Sequence, residues 1–235
     1  MSNPYFQFKK FVVYHDRCAM KVGTDGVLLG AWTQVCGAND ILDIGTGTGL
    51  IALMVAQRNQ HAAITAVEIE EDAASQALEN VRRSSWHDRI RVVHADIRAY
   101  VPEVKFDLIV SNPPYFEHSL TCSAEGRTKA RHTATLDYEE LLCRVSLLLK
   151  DGGNFSIVIP ADAANRLVAL AAGKGLFLSR RTWVRTLPTM PPKRALMTFC
   201  KQPAPVEENT LTIEMAHRTY TEEYRALTED FYLFM

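Results

Sequence analysis

Residues 40–57 have the sequence Asp40-Ile41-Leu42-Asp43-Ile44-Gly45-Thr46-Gly47-Thr48-Gly49-Leu50-Ile51-Ala52-Leu53-Met54-Val55-Ala56-Gln57. The apolar residues before the glycines predict a buried strand, and the apolar residues after them predict a helix. A strand that passes through a glycine loop into a helix allows a cofactor to approach bare backbone. This stretch therefore predicts an open α/β fold with a cofactor site at the loop.

The spacing of the loop indicates what kind of cofactor it takes. The glycines follow the pattern G-x-G-x-G, and Leu50 stands where the dinucleotide fingerprint has its third glycine. Asp43 lies two residues before Gly45, and a carboxylate there disfavours a pyrophosphate but favours an ammonium group. The loop therefore favours a cationic amino-acid cofactor such as S-adenosylmethionine, with a nicotinamide cofactor as the minor alternative.

Two more acids end predicted strands. Residues 62–68 form the second strand and end in Glu68, 19 residues after Gly49, where a carboxylate can accept both hydroxyls of a ribose. Residues 89–96 form the third strand and end in Asp96, which can accept an adenine amino group or, alternatively, cap a helix. Because ligands bind outside the carboxyl ends of parallel strands, these acids predict one adenosine site.

A fourth apolar segment, residues 106–110, runs into the turn Ser111-Asn112-Pro113-Pro114-Tyr115. The prolines stop the strand, and Pro113 holds Asn112 in an extended conformation. The Asn112 side-chain oxygen and the Pro113 carbonyl can accept the two N–H groups of a planar amine, while Tyr115 offers a stacking face. Taken alone, this segment can equally be a plain turn that closes a strand.

These motifs occur in the order Gly45–Gly49, Glu68, Asp96 and Asn112–Tyr115, and they resemble the class I S-adenosylmethionine-dependent methyltransferases of the amino-group branch. Over the whole chain, 21–26 and 127–132 are similar to segments of the bacterial tRNA adenine-N6-methyltransferases. The resemblance implies a Rossmann-like fold, with a seven-stranded mostly parallel sheet, helices on both faces and a C-terminal antiparallel hairpin. It also implies N6-methylation of an adenine in tRNA, the adenine 3′ of the anticodon of a valine tRNA.

The resemblance assigns roles to individual residues. The expected catalytic residues are Asn112, Pro113 and Tyr115. The expected cofactor-binding residues are Lys21, Gly23, Thr24, Asp25, Asp43, Gly45, Gly47, Gly49, Glu68, Ile69, Asp96, Ile97 and Asn112. The candidates for RNA contacts, which we expect near one rim, are Lys9, Lys10, Lys21, Arg127, Lys129, Arg131, Lys193 and Arg194, with His132 as either an RNA contact or an ordinary surface residue.

The charge distribution supports a polyanionic partner without proving one. The net charge is −1, yet residues 121–201 hold 13 Lys and Arg against 6 Asp and Glu, while residues 202–235 hold 2 against 7. Such asymmetry is typical of a polyanion-facing surface, although solvated helix faces also produce it.

The chain is expected to form one domain, 1–235. Within it, 1–36 provide strands and a helix that cover the cofactor site, 37–201 form the core, and 202–235 are a C-terminal extension. Thr24 or Asp25 is expected to cap the first helix, and Asp137 a helix over 137–149. The remaining expected elements are a hairpin of strands 176–187 and 194–201, an edge strand at 210–215 and a helix at 222–231.

The five cysteines are widely spread and lack a CxxC pair, which favours a reducing compartment and argues against a structural metal. The sequence shows neither an apolar run of membrane-spanning length nor a signal pattern. We therefore expect a cytoplasmic, metal-free protein, with a monomer favoured.

The turn at Asn112 suits any planar amine, so other substrates stay open. They are a glutamine side chain in a protein, an adenine in DNA and a guanine or adenine in ribosomal RNA. The basic segment argues against the protein substrate, and the absence of a sizeable added recognition domain argues against DNA. A non-catalytic RNA-binding module is an alternative of a different class.

Overall fold

A computed structural model describes residues 3–18, 20–114 and 136–234. The helices are α1 (Thr24–Trp32), α2 (Leu50–Arg58), α3 (Glu71–Arg82), α4 (Tyr138–Leu148), α5 (Ala164–Ala172) and α6 (Glu222–Thr228), with a 3-10 turn at Ala161–Ala163. The strands are β1 (Tyr5–Gln7), β2 (Val12–Tyr14), β3 (Asp40–Ile44), β4 (Ala63–Glu68), β5 (Ile90–His94), β6 (Phe106–Ser111), β7 (Leu149–Pro160), β8 (Phe177–Arg185), β9 (Arg194–Cys200), β10 (Glu207–Thr212), β11 (Glu214–Ala216) and β12 (Thr219–Tyr220).

The main sheet has the strand order β10-β8-β9-β7-β6-β3-β4-β5 within the described chain. The strands from β7 to β5 are parallel, β9 is antiparallel to β7 and β8, and β10 is parallel to β8. This mostly parallel sheet with its antiparallel β8–β9 pair confirms the predicted fold class. It has eight strands rather than seven because the edge strand expected at 210–215 is β10, which begins earlier, at Glu207, and pairs along β8.

Side chains along each central strand belong alternately to two hydrophobic clusters, one on each face of the sheet. Ile41 and Leu108 belong to the cluster that includes α1 and α2, whereas Leu42 and Ile109 belong to the cluster that includes α4 and α5. Successive side chains of a strand point to opposite faces of the sheet. Because each of the two clusters also contains helix residues, helices cover both faces. None of the helices in the described ranges combines the length and apolarity that a membrane span needs.

Helices α1 and α2 pack closely because α1 carries glycines where they meet. A Cβ added at Gly26 would lie 3.0 Å from Leu50 Cδ2, and one added at Gly30 would lie 2.7 Å from Met54 Sδ. Gly26 and Gly30 are four residues apart and therefore share one face of α1. This contact fixes the first turn of α1 beside the start of α2, next to the glycine loop.

The β1–β2 hairpin packs against the C-terminal segment. The Phe8 ring lies 4.7 Å from the Phe11 ring and 5.9 Å from the Tyr232 ring, and Phe8 also forms a β-bridge with Tyr232. Lys9 Nζ donates to the Glu229 carbonyl at 2.6 Å. The two ends of the described chain therefore form one aromatic cluster.

Two expected helix starts have different outcomes. Asp137 caps α4 as predicted: its carboxylate accepts from the Glu140 amide, and the Glu140 carboxylate accepts from the Asp137 amide, which completes a capping box. The prediction that Thr24 or Asp25 caps α1 is wrong, because α1 already begins at Thr24 and its N-cap is Gly23, which has no capping side chain. The last helix is also shorter than expected, since α6 ends at Thr228.

Candidate active site

The glycine loop between β3 and α2 leaves space for a ligand at the backbone. Gly45 and Gly47 have φ values of +70° and +56°, and a Cβ added at either would have no described heavy atom within 4 Å. Gly49, with φ of +81°, differs because its added Cβ would lie 3.5 Å from Ala77 of α3. The first two glycines therefore face open space, whereas the third allows the loop to pack on α3.

Asp43 is a buried carboxylate at the end of β3. Its side chain is 1% exposed, and its Oδ2 accepts from Thr46 Oγ1 at 2.5 Å. Its Oδ1 is buried without a hydrogen-bond partner among the described residues. Burial raises the pKa of Asp43 to about 7; hydrogen bonds from Thr46 and from the Ala52 backbone oppose the rise, and the nearby Glu68 charge adds to it. An unpaired buried carboxylate oxygen fits a cationic ligand group, because a buried charge is costly unless it is paired.

Glu68 ends β4 and ties the glycine loop to the neighbouring strand. Its Oε2 accepts from the Gly47 amide at 2.8 Å, and its Oε1 accepts from the Ile69 and Glu70 amides at 2.9 and 3.0 Å. The carboxylate is thus held in one orientation by three backbone N–H groups. It lies at the carboxyl end of a strand parallel to β3, where the sequence places a ribose acceptor.

Asp96 lies two residues beyond the end of β5, not at its last residue as expected, because β5 ends at His94. Both of its carboxylate oxygens accept from Arg98 Nε, at 3.0 and 2.8 Å, and Arg98 also lies 3.8 Å from Glu140 of α4. The Arg98 guanidinium lowers the pKa of Asp96. Arg98 is a site neighbour that the sequence analysis missed, and its only signal was its spacing of two from Asp96. Ile97, between them, is buried in the α4–α5 cluster.

Asn112 follows β6 directly and lies beside the end of β3. Ser111 pairs with Ile44 in the sheet, and its Oγ donates to the Ile44 carbonyl at 2.9 Å. Asn112 Oδ1 is buried without a hydrogen-bond partner among the described residues. Its Nδ2 would lie 3.8 Å from a Cβ added at Gly26, so the first turn of α1 borders the amide. Pro113 is buried next to Asn112, whereas Tyr115 lies outside the described residues.

The segment between β2 and α1 lies close to the glycine loop. Asn80 Nδ2 on α3 donates both to the Tyr14 carbonyl at 2.8 Å and to the Thr48 carbonyl at 2.9 Å. Burial raises the pKa of the Cys18 thiol to about 11, and the Glu68 charge contributes to that rise. Asn80 thus ties the end of β2, where this segment begins, to the glycine loop.

The predicted cofactor contacts before α1 are distributed along this same segment. Lys21 and Gly23 lead into α1, and Thr24 is its first residue. The Asp25 carboxylate accepts from Arg194 Nε at 2.9 Å, so this side chain is directed towards the β9 end of the sheet. Asp25 therefore links α1 to the start of β9.

The predicted RNA contacts divide between two edges of the sheet. Arg194 begins β9 opposite Pro160, the last residue of β7, so Lys193 and Arg194 lie at the edge where β6 also ends. Lys10 instead borders a cavity with residues near the C-terminal end of α2 and just before β5, at the opposite edge. The expectation of one common rim is therefore wrong for Lys9 and Lys10. The remaining candidates, Arg127, Lys129, Arg131 and His132, lie outside the described residues.

Comparison with known proteins places this architecture. The family model "Methyltransferase small domain" matches residues 22–170. A solved structure titled as a predicted O-methyltransferase from Agrobacterium tumefaciens has a TM-score of 0.66 at 19% identity, covering 88% of this chain and 96% of that chain. A putative RNA methyltransferase from Pyrococcus horikoshii has a TM-score of 0.53 at 15% identity, covering 75% of this chain and 83% of that chain. The fold, with its glycine loop, is that of a class I methyltransferase.

Two curated relatives match almost end to end. A Bacteroides thetaiotaomicron protein is 54% identical over 99% of both chains, and a Phocaeicola vulgatus protein is 53% identical over 100% of both. Both are named tRNA1(Val) (adenine(37)-N6)-methyltransferase. The chain belongs to this family, which confirms the resemblance drawn from its motifs.

Among the described residues, no three His, Cys, Asp or Glu side chains are grouped as metal ligands.

Proposed function

We propose that this protein transfers the methyl group of S-adenosylmethionine to N6 of adenine 37, the adenine 3′ of the anticodon, in a valine tRNA. The substrate is supported by the relatives, which carry that name and match the chain at up to 54% identity. The reaction is supported chiefly by one observation, the buried Asn112 Oδ1 that has no described partner beside the glycine loop.

The described residues fit this cofactor at three points. Asp43 Oδ1 is suited to the ammonium of its amino-acid part, Glu68 to the ribose, and the open backbone at Gly45 and Gly47 to the chain between them. When bound, S-adenosylmethionine supplies a methyl group already activated by its sulfonium. Asp96, held by Arg98, is the proposed acceptor for the adenine amino group, with Ile69 and Ile97 beside the ring.

The residues of the turn orient the substrate amine. An adenine amine is a weak nucleophile because its lone pair is delocalised into the ring. Asn112 Oδ1 and the Pro113 carbonyl would each accept one N–H, which directs the lone pair of the nitrogen out of the ring plane. The bond from nitrogen to the methyl carbon forms as the bond from that carbon to the sulfonium sulfur breaks. The amine proton then leaves to solvent, so orientation and electrostatics carry the catalysis rather than a strong base. Tyr115 keeps its proposed role of stacking on the target base.

The test is transfer of labelled methyl to total tRNA from cells that lack this protein, followed by nuclease mapping. Wild type should place N6-methyladenine in the anticodon loop of a valine tRNA. Asn112→Ala should lower kcat by about 10²–10³-fold, the usual effect of removing one preorganised hydrogen bond. Because Asn112 is also an expected cofactor-binding residue, the variant's Kd for S-adenosylmethionine is measured alongside, and the loss of kcat at saturating cofactor tests its role towards the substrate amine.

Asn165→Ala is the matched control, since this exposed asparagine lies on α5, is not among the proposed catalytic, cofactor or RNA contacts, and should leave kcat unchanged. Label that appears in a protein band instead of tRNA would overturn the RNA substrate and favour a glutamine side chain. Full activity of Asn112→Ala would overturn the role of the turn.

A further inference from the structure

A cavity of about 290 Å³ opens beside the candidate active site, between the first turn of α1, the β8–β9 edge and the β11–β12 hairpin. Part of its wall is apolar or aromatic, including Leu28, Val184 and Tyr220, and the rest is polar; the Tyr220 ring lies 5.1 Å from the Tyr224 ring. This volume is close to the lower end of small-ligand sites, which start at about 300 Å³. The cavity is therefore suited to a single flat group.

Cations border the same cavity. Arg185 is oriented by its Nε, which donates to Thr212 Oγ1 at 2.8 Å. Lys193 is exposed, and its side chain has no hydrogen-bond or ion-pair partner within the described ranges. Arg194 differs, since its charge is balanced by Asp25 at 2.9 Å. Arg185 and Lys193 are thus the two cations best placed to meet a phosphate.

The cavity also carries an acceptor suited to a base. The Glu214 side chain lines it and accepts from the Arg218 amide at 3.3 Å. A fixed carboxylate beside an aromatic wall can accept from an exocyclic amine or ring N–H of a base, and recognition of unpaired RNA uses such stacking and edge contacts. The cavity therefore combines groups for both parts of a nucleotide.

The cavity and the Asn112 amide lie on two sides of one helical turn. Asp25 lines the cavity, while its neighbour Gly26 borders Asn112, with 3.8 Å between Nδ2 and an added Cβ. Adjacent Cα atoms are about 3.8 Å apart. When the target base of an RNA strand contacts Asn112, the next nucleotide of that strand is therefore within reach of the cavity.

We propose that this cavity binds the nucleotide next to the methylated adenine, with the base against Tyr220 and a flanking phosphate on Lys193 and Arg185. This inference rests on the proposed function and adds a second contact with the RNA, one that reads the anticodon loop beside its target. The splayed single strand of a loop permits two neighbouring bases to enter separate sites.

The test uses full-length valine tRNA assembled by ligation, with an abasic ribose placed on either side of the target adenine or three nucleotides away. One neighbouring abasic site should lower the wild-type kcat/KM by about tenfold, as expected for one lost base–aromatic stack. The distant abasic site should have little effect. Tyr220→Ala should lose about as much on intact tRNA, yet lose little more on the abasic RNA, because both changes remove the same contact.

Lys193→Ala tests the phosphate contact separately, in case Tyr220→Ala disturbs the hairpin. It should weaken tRNA binding. It should also reduce the magnitude of the slope of the logarithm of the tRNA association constant against the logarithm of the salt concentration by about 1. Lys174→Ala is the matched control, because this exposed lysine follows α5 at the opposite edge of the sheet. The nucleotide site in the cavity would be overturned if the losses of kcat/KM from Tyr220→Ala and from each neighbouring abasic site were additive and Lys193→Ala left the salt slope unchanged. That outcome would leave the proposed function intact. Absence of wild-type activity on intact tRNA would overturn the proposed function as well.

Discussion

Among the residues of the candidate site, Asp43 has a strongly raised pKa. Its pKa is raised to about 7 from an ordinary value of 3.8, so between these values the folded protein binds more protons than the unfolded chain. The free energy of unfolding of the ligand-free protein therefore falls as pH rises through this window. Thermal denaturation at about pH 5 and pH 8 should show a larger loss of stability for wild type than for Asp43→Asn. An equal loss of stability in wild type and Asp43→Asn between these two pH values would contradict the raised pKa of Asp43.

The same carboxyl should make cofactor affinity depend on pH. Below about pH 7 the protonated Asp43 cannot pair with an ammonium group, so the Kd for S-adenosylmethionine should rise as pH falls. Titration calorimetry should find Asp43→Asn weak and nearly independent of pH over the same range. An unchanged affinity of this variant at pH 8 would place the ammonium elsewhere.

Substitutions at two glycines of the loop should differ in their effect on the Kd for S-adenosylmethionine, although both strain the backbone. Gly47→Ala puts a methyl group into open space that the cofactor is proposed to occupy, and should raise the Kd for S-adenosylmethionine at least about tenfold. Gly49→Ala has similar backbone strain, about 1–2 kcal/mol, but its methyl group meets Ala77 and should leave Kd within a few-fold. Equal effects of both variants on Kd would contradict this division.

Among the elements, α1 and α2 pack so closely that their contact is sensitive to added volume. Gly30→Ala should cost about 1–3 kcal/mol, because the new Cβ would lie 2.7 Å from Met54 Sδ and 3.0 Å from Met54 Cβ. Met54→Ala alone should cost about 2–5 kcal/mol through a cavity. The double variant should cost clearly less than the sum of the two in urea unfolding, since one change fills the space that the other leaves. Gly152→Ala is the control, because its added Cβ meets no described atom within 4 Å.

How far the sequence predicts each element depends on how local its cause is. The acids at Asp43 and Glu68 were predictable because apolar periodicity defines each strand, and parallel pairing then brings the strand ends together. The positions of Lys9 and Lys10 were not, because their hairpin is anchored by a bond to Glu229, 220 residues away. The pairing of Asp96 with Arg98 was also missed, since it depends on where β5 stops and not on any periodic pattern.

At the scale of the whole molecule, the aromatic cluster joins the two ends of the described chain. Phe231 precedes Tyr232, belongs to the same hydrophobic cluster as Phe8 and is 2% exposed, so Phe231→Ala should cost about 3–5 kcal/mol and make the bonds after Lys9 and Lys10 sensitive to trypsin. Phe234→Ala is the matched control, because Phe234 is 90% exposed and its loss should change stability by less than about 0.5 kcal/mol. Equal protease resistance of both variants would show that the hairpin is stable without this cluster.

The bond between Lys9 and Glu229 also has a consequence for biosynthesis. Glu229, which accepts from Lys9 Nζ, is translated 220 positions after that lysine, and Tyr232, which stacks on Phe8, follows it. Contacts between such distant segments form late because a long loop must first be closed. During synthesis Phe8 therefore lacks its Tyr232 contact until the later segment has been made, and a chaperone that binds exposed aromatic side chains can hold the unfinished protein there.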